Sequence, residues 1–389
     1  MRILQIVSHG FTRGGARGVG GPEKRALESL KRLDRGRFDP VVVYSSQGAL
    51  FERFRDAGVR LIDFSVRGIE HTGAGRFLAD TMRSERIDVV HTQGPLAADF
   101  YAGRAARAAG VPLVLTRPVM VEDYLMPALK RAAYAAVDTL TLRAADAIVA
   151  VSEDGRGRLL ARRALDRSEI LLIRNGVDVD HYRPREGAKA RLLAEVGRTG
   201  DAPTIGMVAQ LTDDKGWDVF LETVLLVKRA VPDLAAFVVG GGPRTSEISL
   251  SVAHTKLAGT VFLLGHRSDV QEVLPAFDVV VHTSRREGLP LIVIEAMASG
   301  RPVVASDAGG TAELIVPGVT GHVVPVGDSP ATADRVIALL GDPSARRRMG
   351  IAGRERAVGE FTLDRMVSEY QTLYERMARR RGIAGGGTA

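Results

Sequence analysis

The sequence predicts an α/β protein built from two doubly wound parallel-sheet domains. Three observations carry this. Short β-branched apolar runs alternate with helical patterns, and the rhythm starts afresh after Asp201. At 389 residues the chain is too long for one ordinary core and divides most simply into two. Its 43 glycines suit the tight strand-to-helix turns such sheets require.

Taken in order, residues 3–7, 41–44, 60–64, 89–91, 113–116 and 147–151 read as strands. Helical patterns at 22–33, 49–57, 76–85, 97–109 and 125–145 lie between several of them. Residues 171–189 are turn-rich, with Asn175-Gly176 and Pro184, and set a boundary that gives domains 1–180 and 181–362. The second half repeats the pattern, with strands at 204–208, 236–240, 261–264, 279–281, 303–305 and 322–324. An amphipathic helix at 363–381 follows and ends in a basic run, and residues 382–389 are expected to be a disordered tail.

Composition narrows the function. Hydrophobic residues are 45% and charged residues 25%, as in an ordinary globular protein. There is no cysteine, which excludes disulfides, thiolate catalysis and cysteine metal sites and fits a cytoplasmic enzyme. The opening MRILQIV is too short for a signal peptide and reads as a strand. No run approaches the roughly 18 apolar residues of a spanning helix. The net charge of +7 is uneven: residues 1–180 hold 28 Lys+Arg against 22 Asp+Glu. That excess suits an anionic partner, such as a membrane surface or a phosphorylated acceptor, as well as a merely solvated basic face. With 5% aromatics and no basic stretch interleaved with them, nucleic acid is not expected.

The chemistry concentrates at residues 279–300, VVVHTSRREGLPLIVIEAMASG, where a buried strand, a polar loop and a helix start succeed one another. Pro290 suits a first helical position, and Gly300 with Pro302 stops the helix. Its amino end, facing the loop, favours a phosphate or other anion. Glu287 falls in the loop and Glu295 in the second turn. In the loop after the first strand of the second domain, Lys215 precedes Gly216 at a helix start and can place a compact cation on a phosphate, or simply be solvated. The glycine loop after the first strand lacks the G-x-G-x-x-G spacing, and the second strand ends in Tyr44-Ser45-Ser46 without the acidic residue that a dinucleotide ribose needs. Asp213-Asp214, Asp178 and Asp180 sit in turn-like stretches and read as turn residues, not metal ligands.

An ordered set of motifs gives this pattern a family. GGPE at residues 20–23, NGVD at 175–178, KG at 215–216, GGGP at 240–243, GHRSDV at 265–270 and the signature from Glu287 onward resemble glycosyltransferase family 4, retaining enzymes of the GT-B fold. The resemblance covers nearly the whole chain. It implies two Rossmann-like domains facing across a cleft, with the C-terminal helix packed back on the first. It implies a nucleotide-sugar donor, UDP- or GDP-linked, bound by the second domain, and a hexose-type sugar passed to an acceptor hydroxyl in glycan, glycolipid or secondary glycoside synthesis. By the same resemblance Glu295 bonds the ribose, Glu287 the donor sugar, and Gly288, Leu289, Pro290 and Leu291 line the diphosphate and sugar. Lys215 neutralises the diphosphate, the backbone near Arg267 reads the base, and Gly21 lets the first-domain loop close over the phosphate. No metal or other cofactor is implied, and the mechanism is front-side displacement with retention.

Two positions depart from the family pattern. Gln210 stands where an arginine is common, which leaves the diphosphate with one cation fewer. Thr116-Arg117-Pro118 stands where a histidine is common, so Arg117, with His91, becomes an acceptor-side candidate. A catalytically inactive nucleotide-binding protein and a same-fold epimerase or sugar-phosphate synthase remain alternatives. The region 125–143, with Lys130, Arg131 and Arg143 among apolar residues, reads first as a core-facing helix and second as a peripheral membrane contact.

Overall fold

The computed structural model describes residues 1–7, 20–45, 50–64, 73–93, 96–124, 126–165, 169–380 and 382. The chain divides into two compact units. One holds residues up to Asn175 together with the terminal helix Leu363–Arg380; the other holds residues 176–362. Most of the glycine loop after the first strand, and the tail beyond 382, fall outside the described residues.

The first unit contains β1 (Arg2–Ile6), β2 (Asp39–Tyr44), β3 (Arg60–Asp63), β4 (Val89–Thr92), β5 (Leu113–Arg117), β6 (Ala147–Ala150) and β7 (Glu169–Leu172). They form one parallel sheet in the order β3-β2-β1-β4-β5-β6-β7. Strands such as Val41, Val42 and Val43 are apolar at successive positions because helices cover both faces. The helices Ala74–Ser84 and Leu96–Ala109 pack into one core layer. On another face, Met366, Tyr370, Leu373, Tyr374 and Met377 of the helix Leu363–Arg380 meet Ile3, Val89, Val114 and Val149.

The second unit contains β8 (Thr204–Val208), β9 (Ala235–Val239), β10 (Val261–Gly265), β11 (Val279–His282), β12 (Val303–Ser306) and β13 (Gly321–Val324). Their order is β10-β9-β8-β11-β12-β13, again all parallel. In both sheets the chain builds outward on one side of its first strand, then returns to build on the other. The strand order therefore reverses between β8 and β11 in this unit, the place where open parallel sheets bind their ligands.

Several expectations need correction. Within the turn-rich segment 171–189, Leu171 and Leu172 belong to an edge strand the sequence reading did not mark, β7, and a helix Ala188–Glu195 begins before the segment ends. Pro290 is not the first helical residue; it caps the helix with extended backbone, φ −69° and ψ 118°. The helix Ala128–Leu142 is not core-facing along its length, since Leu129 is 85% and Leu140 61% exposed. Among the described residues no helix is long and apolar enough to cross a membrane.

Candidate functional site

Two loops meet at the point where the strand order of the second unit reverses. After β8 the chain makes a 3-10 turn, Asp213–Lys215, and enters the helix Trp217–Ala230 through Gly216 at φ 65°. A Cβ on Gly216 would stand 2.0 Å from the carbonyl oxygen of Thr283, just beyond β11. Only glycine permits this approach. Thr283 Oγ1 donates to the Gly216 carbonyl at 2.8 Å, and the Arg285 amide donates to the Asp214 carbonyl at 2.7 Å. The Arg285 guanidinium forks onto Asp218 at 2.8 and 2.5 Å. From the other side Gly309, at φ 54°, brings its backbone to where a Cβ would lie 2.0 Å from the Glu287 carbonyl. The Gly310 amide donates to the Gly288 carbonyl at 2.8 Å.

This clamped loop brings Lys215 and Glu287 together: Nζ lies 2.7 Å from Oε1. His282, the last residue of β11, places Nε2 3.3 Å from the same oxygen. The Glu287 side chain is 11% exposed, and burial alone would push its carboxyl up. The Lys215 ammonium and the His282 ring outweigh that and hold it well below the usual carboxylate range. Glu287 is therefore an ionised hydrogen-bond acceptor and a weak base. It suits binding hydroxyl groups, and it is poorly suited to attacking carbon.

The helix Leu291–Ala298 starts directly after the loop. No side chain caps its amino end, so its first backbone N–H groups and partial positive charge remain available to an anion. Its other end closes with the Gly300 amide donating to the Met297 carbonyl and the Arg301 amide to the Ala296 carbonyl, a Schellman arrangement with Gly300 at φ 71°. Glu295, in the second turn, is 4% exposed. Ser284 Oγ, at the root of the loop, is buried without a hydrogen-bond partner among the described residues. A cation, an acceptor carboxylate, a buried hydroxyl and a helix amino end thus share one loop pair. That combination fits a phosphorylated, hydroxyl-bearing ligand.

The other expected residues are placed as follows. Gly288, Leu289 and Pro290 continue the clamped loop, and Leu291 opens the helix. Gln210 lies in the loop after β8, its carbonyl accepting from the Thr212 amide at 2.9 Å. The Arg267 guanidinium is committed to Asp269 and to Glu195, at 2.6 Å from each. Gly21, in the first unit, opens the helix Gly21–Arg32 beside Gly20, whose amide donates to Glu23 at 2.7 Å.

The two acceptor-side candidates are not accessible. Arg117, 2% exposed, ends β5 and is held 3.1 Å from Asp99 and 2.7 Å from Asp138, both fully buried. Its guanidinium is consumed in joining β5 to two helices. His91, 1% exposed, lies 2.6 Å from Tyr374 Oη and 2.8 Å from Thr116 Oγ1. Burial, then the nearby Arg25 charge, lowers its pKa to about 3. Both are structural residues of the first unit.

Sequence reasoning missed His282. Its signal was available: a titratable residue ending an otherwise all-valine strand, directly before the loop.

Residues 189–356 match the family described as glycosyl transferases group 1, and residues 20–176 the glycosyl transferase 4-like domain. The chain is 32% identical to an alpha-maltose-1-phosphate synthase of Mycolicibacterium smegmatis over 76% of this chain and 80% of that one. It is 34% identical to a GDP-mannose-dependent alpha-(1-6)-phosphatidylinositol monomannoside mannosyltransferase of the same organism, over 48% of this chain and 51% of the relative. Its fold matches Anabaena HepE in complex with UDP and glucose, with TM-score 0.81 and 21% identity over 96% of this chain and 99% of that one.

Proposed function

The chain belongs to glycosyltransferase family 4, of the GT-B fold, and from that premise we propose that it moves a hexose-type sugar from a UDP- or GDP-linked donor to an acceptor hydroxyl with retention of configuration and without a metal. The observation that carries this reading is the Lys215–Glu287 pair beside the amino end of the helix Leu291–Ala298. Lys215 and that helix end supply the positive charge a departing nucleoside diphosphate needs, so no metal is required for the role. Glu287 accepts the donor sugar's hydroxyls, and Glu295 accepts those of the ribose. Because the Glu287 carboxyl is held far below neutral, it is too weakly basic to serve as nucleophile or general base. The acceptor's proton then passes to the leaving phosphate in a front-side displacement. Gln210 removes one cation from the phosphate site and makes Lys215 the principal one.

The named relatives use different acceptors, and the Mycolicibacterium synthase is named for a sugar phosphate product. A sugar phosphate acceptor is therefore the second reading.

The test is calorimetric titration of UDP, GDP and ADP into the wild type and Glu295→Ala. One nucleotide should bind the wild type and lose about 1–3 kcal/mol in the variant, the worth of a charged hydrogen bond pair. No binding at millimolar concentration by any of the three would sink the donor assignment. Product analysis with the binding nucleotide's sugar then separates transfer to a hydroxyl from transfer to a sugar phosphate.

A further inference from the structure

Two demands fall on one ammonium. Lys215 Nζ lies 2.7 Å from Oε1 of Glu287, whose side chain is 11% exposed, and so answers the charge of a largely buried carboxylate. The donor reading asks the same group to neutralise a diphosphate. A multiply charged anion draws the ammonium toward itself, and lysine, a point charge on a flexible stem, can follow. Glu287 is then a buried carboxylate short of a partner, which is costly.

His282 is placed to take over. Its side chain is 5% exposed, and Nε2 stands 3.3 Å from the same Oε1. That approach is close without being aligned: among the described residues Nε2 has no hydrogen-bond partner, so the bonding capacity of a buried nitrogen is left unspent. The ring cannot wander as a lysine can. His282 closes β11 in register with Ala305 of β12, and its carbonyl accepts from Ser306 Oγ at 3.3 Å. A short side chain on a strand inside a parallel sheet keeps its place while Lys215 moves.

We propose that Glu287 passes from Lys215 to His282 as a diphosphate binds: the ammonium turns to the diphosphate, and Nε2–H closes on Oε1 and keeps the carboxylate aimed at the donor sugar. His282 is thus a positioning residue. It moves no proton, and one N–H···O contact replaces another. The rival arrangement has Lys215 bridge carboxylate and diphosphate through separate N–H groups, in which case His282 contributes nothing to binding. The inference rests on the donor reading and adds a residue to it.

The experiment is a double-mutant cycle read by calorimetric titration of UDP, GDP and ADP, using whichever binds the wild type. His282→Leu should weaken that nucleotide about tenfold, the scale of a hydrogen bond to a charged group. In a Glu287→Gln background no carboxylate needs a new partner, and the same change should cost less than about twofold. His282→Gln, whose amide nitrogen replaces Nε2 as donor, should restore wild-type binding. If circular dichroism shows His282→Leu to be unfolded, His282→Asn takes its place, because its amide is too short to reach the Nε2 position. Equal losses in the two backgrounds overturn the inference, since His282 would then only pack. No loss in either overturns it too, since Lys215 would then be a bridge. So does a His282→Gln variant as weak as His282→Leu. All three outcomes leave the donor site standing, whereas a wild type that binds none of the nucleotides removes the donor reading and this inference with it.

Discussion

Replacing His91 by asparagine should flatten the acid side of the protein's stability curve. In the folded chain the ring is enclosed by Tyr374 and Thr116, faces the Arg25 guanidinium, and resists protonation down to about pH 3. In the unfolded chain an ordinary histidine titrates near pH 6.5. Because the folded pKa lies below the unfolded one, the stability held by the neutral ring is fully present above pH 6.5. It declines as pH falls between the two values. Each unit of pH below 6.5 costs about 1.4 kcal/mol, so the loss reaches about 2 kcal/mol at pH 5 and about 5 kcal/mol near pH 3. His91→Asn removes this titration while carboxylates elsewhere titrate equally in both proteins. Urea unfolding followed by far-ultraviolet circular dichroism, at pH 7.5 and pH 5, reads the difference. The variant should be less stable at the higher pH, through lost hydrogen bonds, yet should lose about 2 kcal/mol less than the wild type on acidification. Equal losses in the two proteins would refute the claim that His91 is buried neutral.

Two further outcomes follow from the loop pair. Lys215→Met should lower kcat/KM about 100-fold, the scale of losing one charged group from a leaving-group site. With the ammonium gone, only His282 is left to oppose the effect of burial on Glu287, so the acid limb of the kcat/KM profile should move to higher pH; an unmoved limb would show that Lys215 does not hold that carboxyl down. Gly309→Ala should lower stability by about 1–3 kcal/mol and weaken nucleotide binding, because its Cβ would press on the Glu287 carbonyl. Gly318→Ala, at φ 76° with open space around it, is the control and should leave nucleotide binding intact.

Much of the fold could be read from periodicity because buried parallel strands are short runs of valine, isoleucine and alanine between helices. β11 and β12, VVVH and VVAS, are of this kind. β7 escaped because it lies at the sheet edge: its four residues are all half-buried, it begins with Glu169, and it runs into a turn-rich segment. The loop holding Glu287 could be located from its strand and helix boundaries. Its clamping onto the Lys215 turn could not, since Gly216 acts through a backbone approach to Thr283, 67 residues away along the chain, and Gly309 through one to Glu287 that no local pattern marks. Arg117 shows the limit most plainly. Before a proline and after a strand it resembled a residue aimed at a ligand, and only the spatial arrival of Asp99 and Asp138 makes it a structural one. The same pairing turns Asp138 inward and rotates the aliphatic side of its helix outward. A pattern of leucines and alanines has the right period for a core helix but carries no sign to say which side is in.

The interlocked backbones at Gly216 and Gly309 bear on how such a site can change over time. A loop whose main chain is pinned from two directions offers little latitude for insertion, deletion or drift in its path. Innovation must come instead through side chains carried on a fixed track, such as those at positions 210 and 284. A library built for altered donor preference should therefore hold both glycines constant and randomise those positions. Variants that also relax the glycines would spend most of their diversity on misfolded chains.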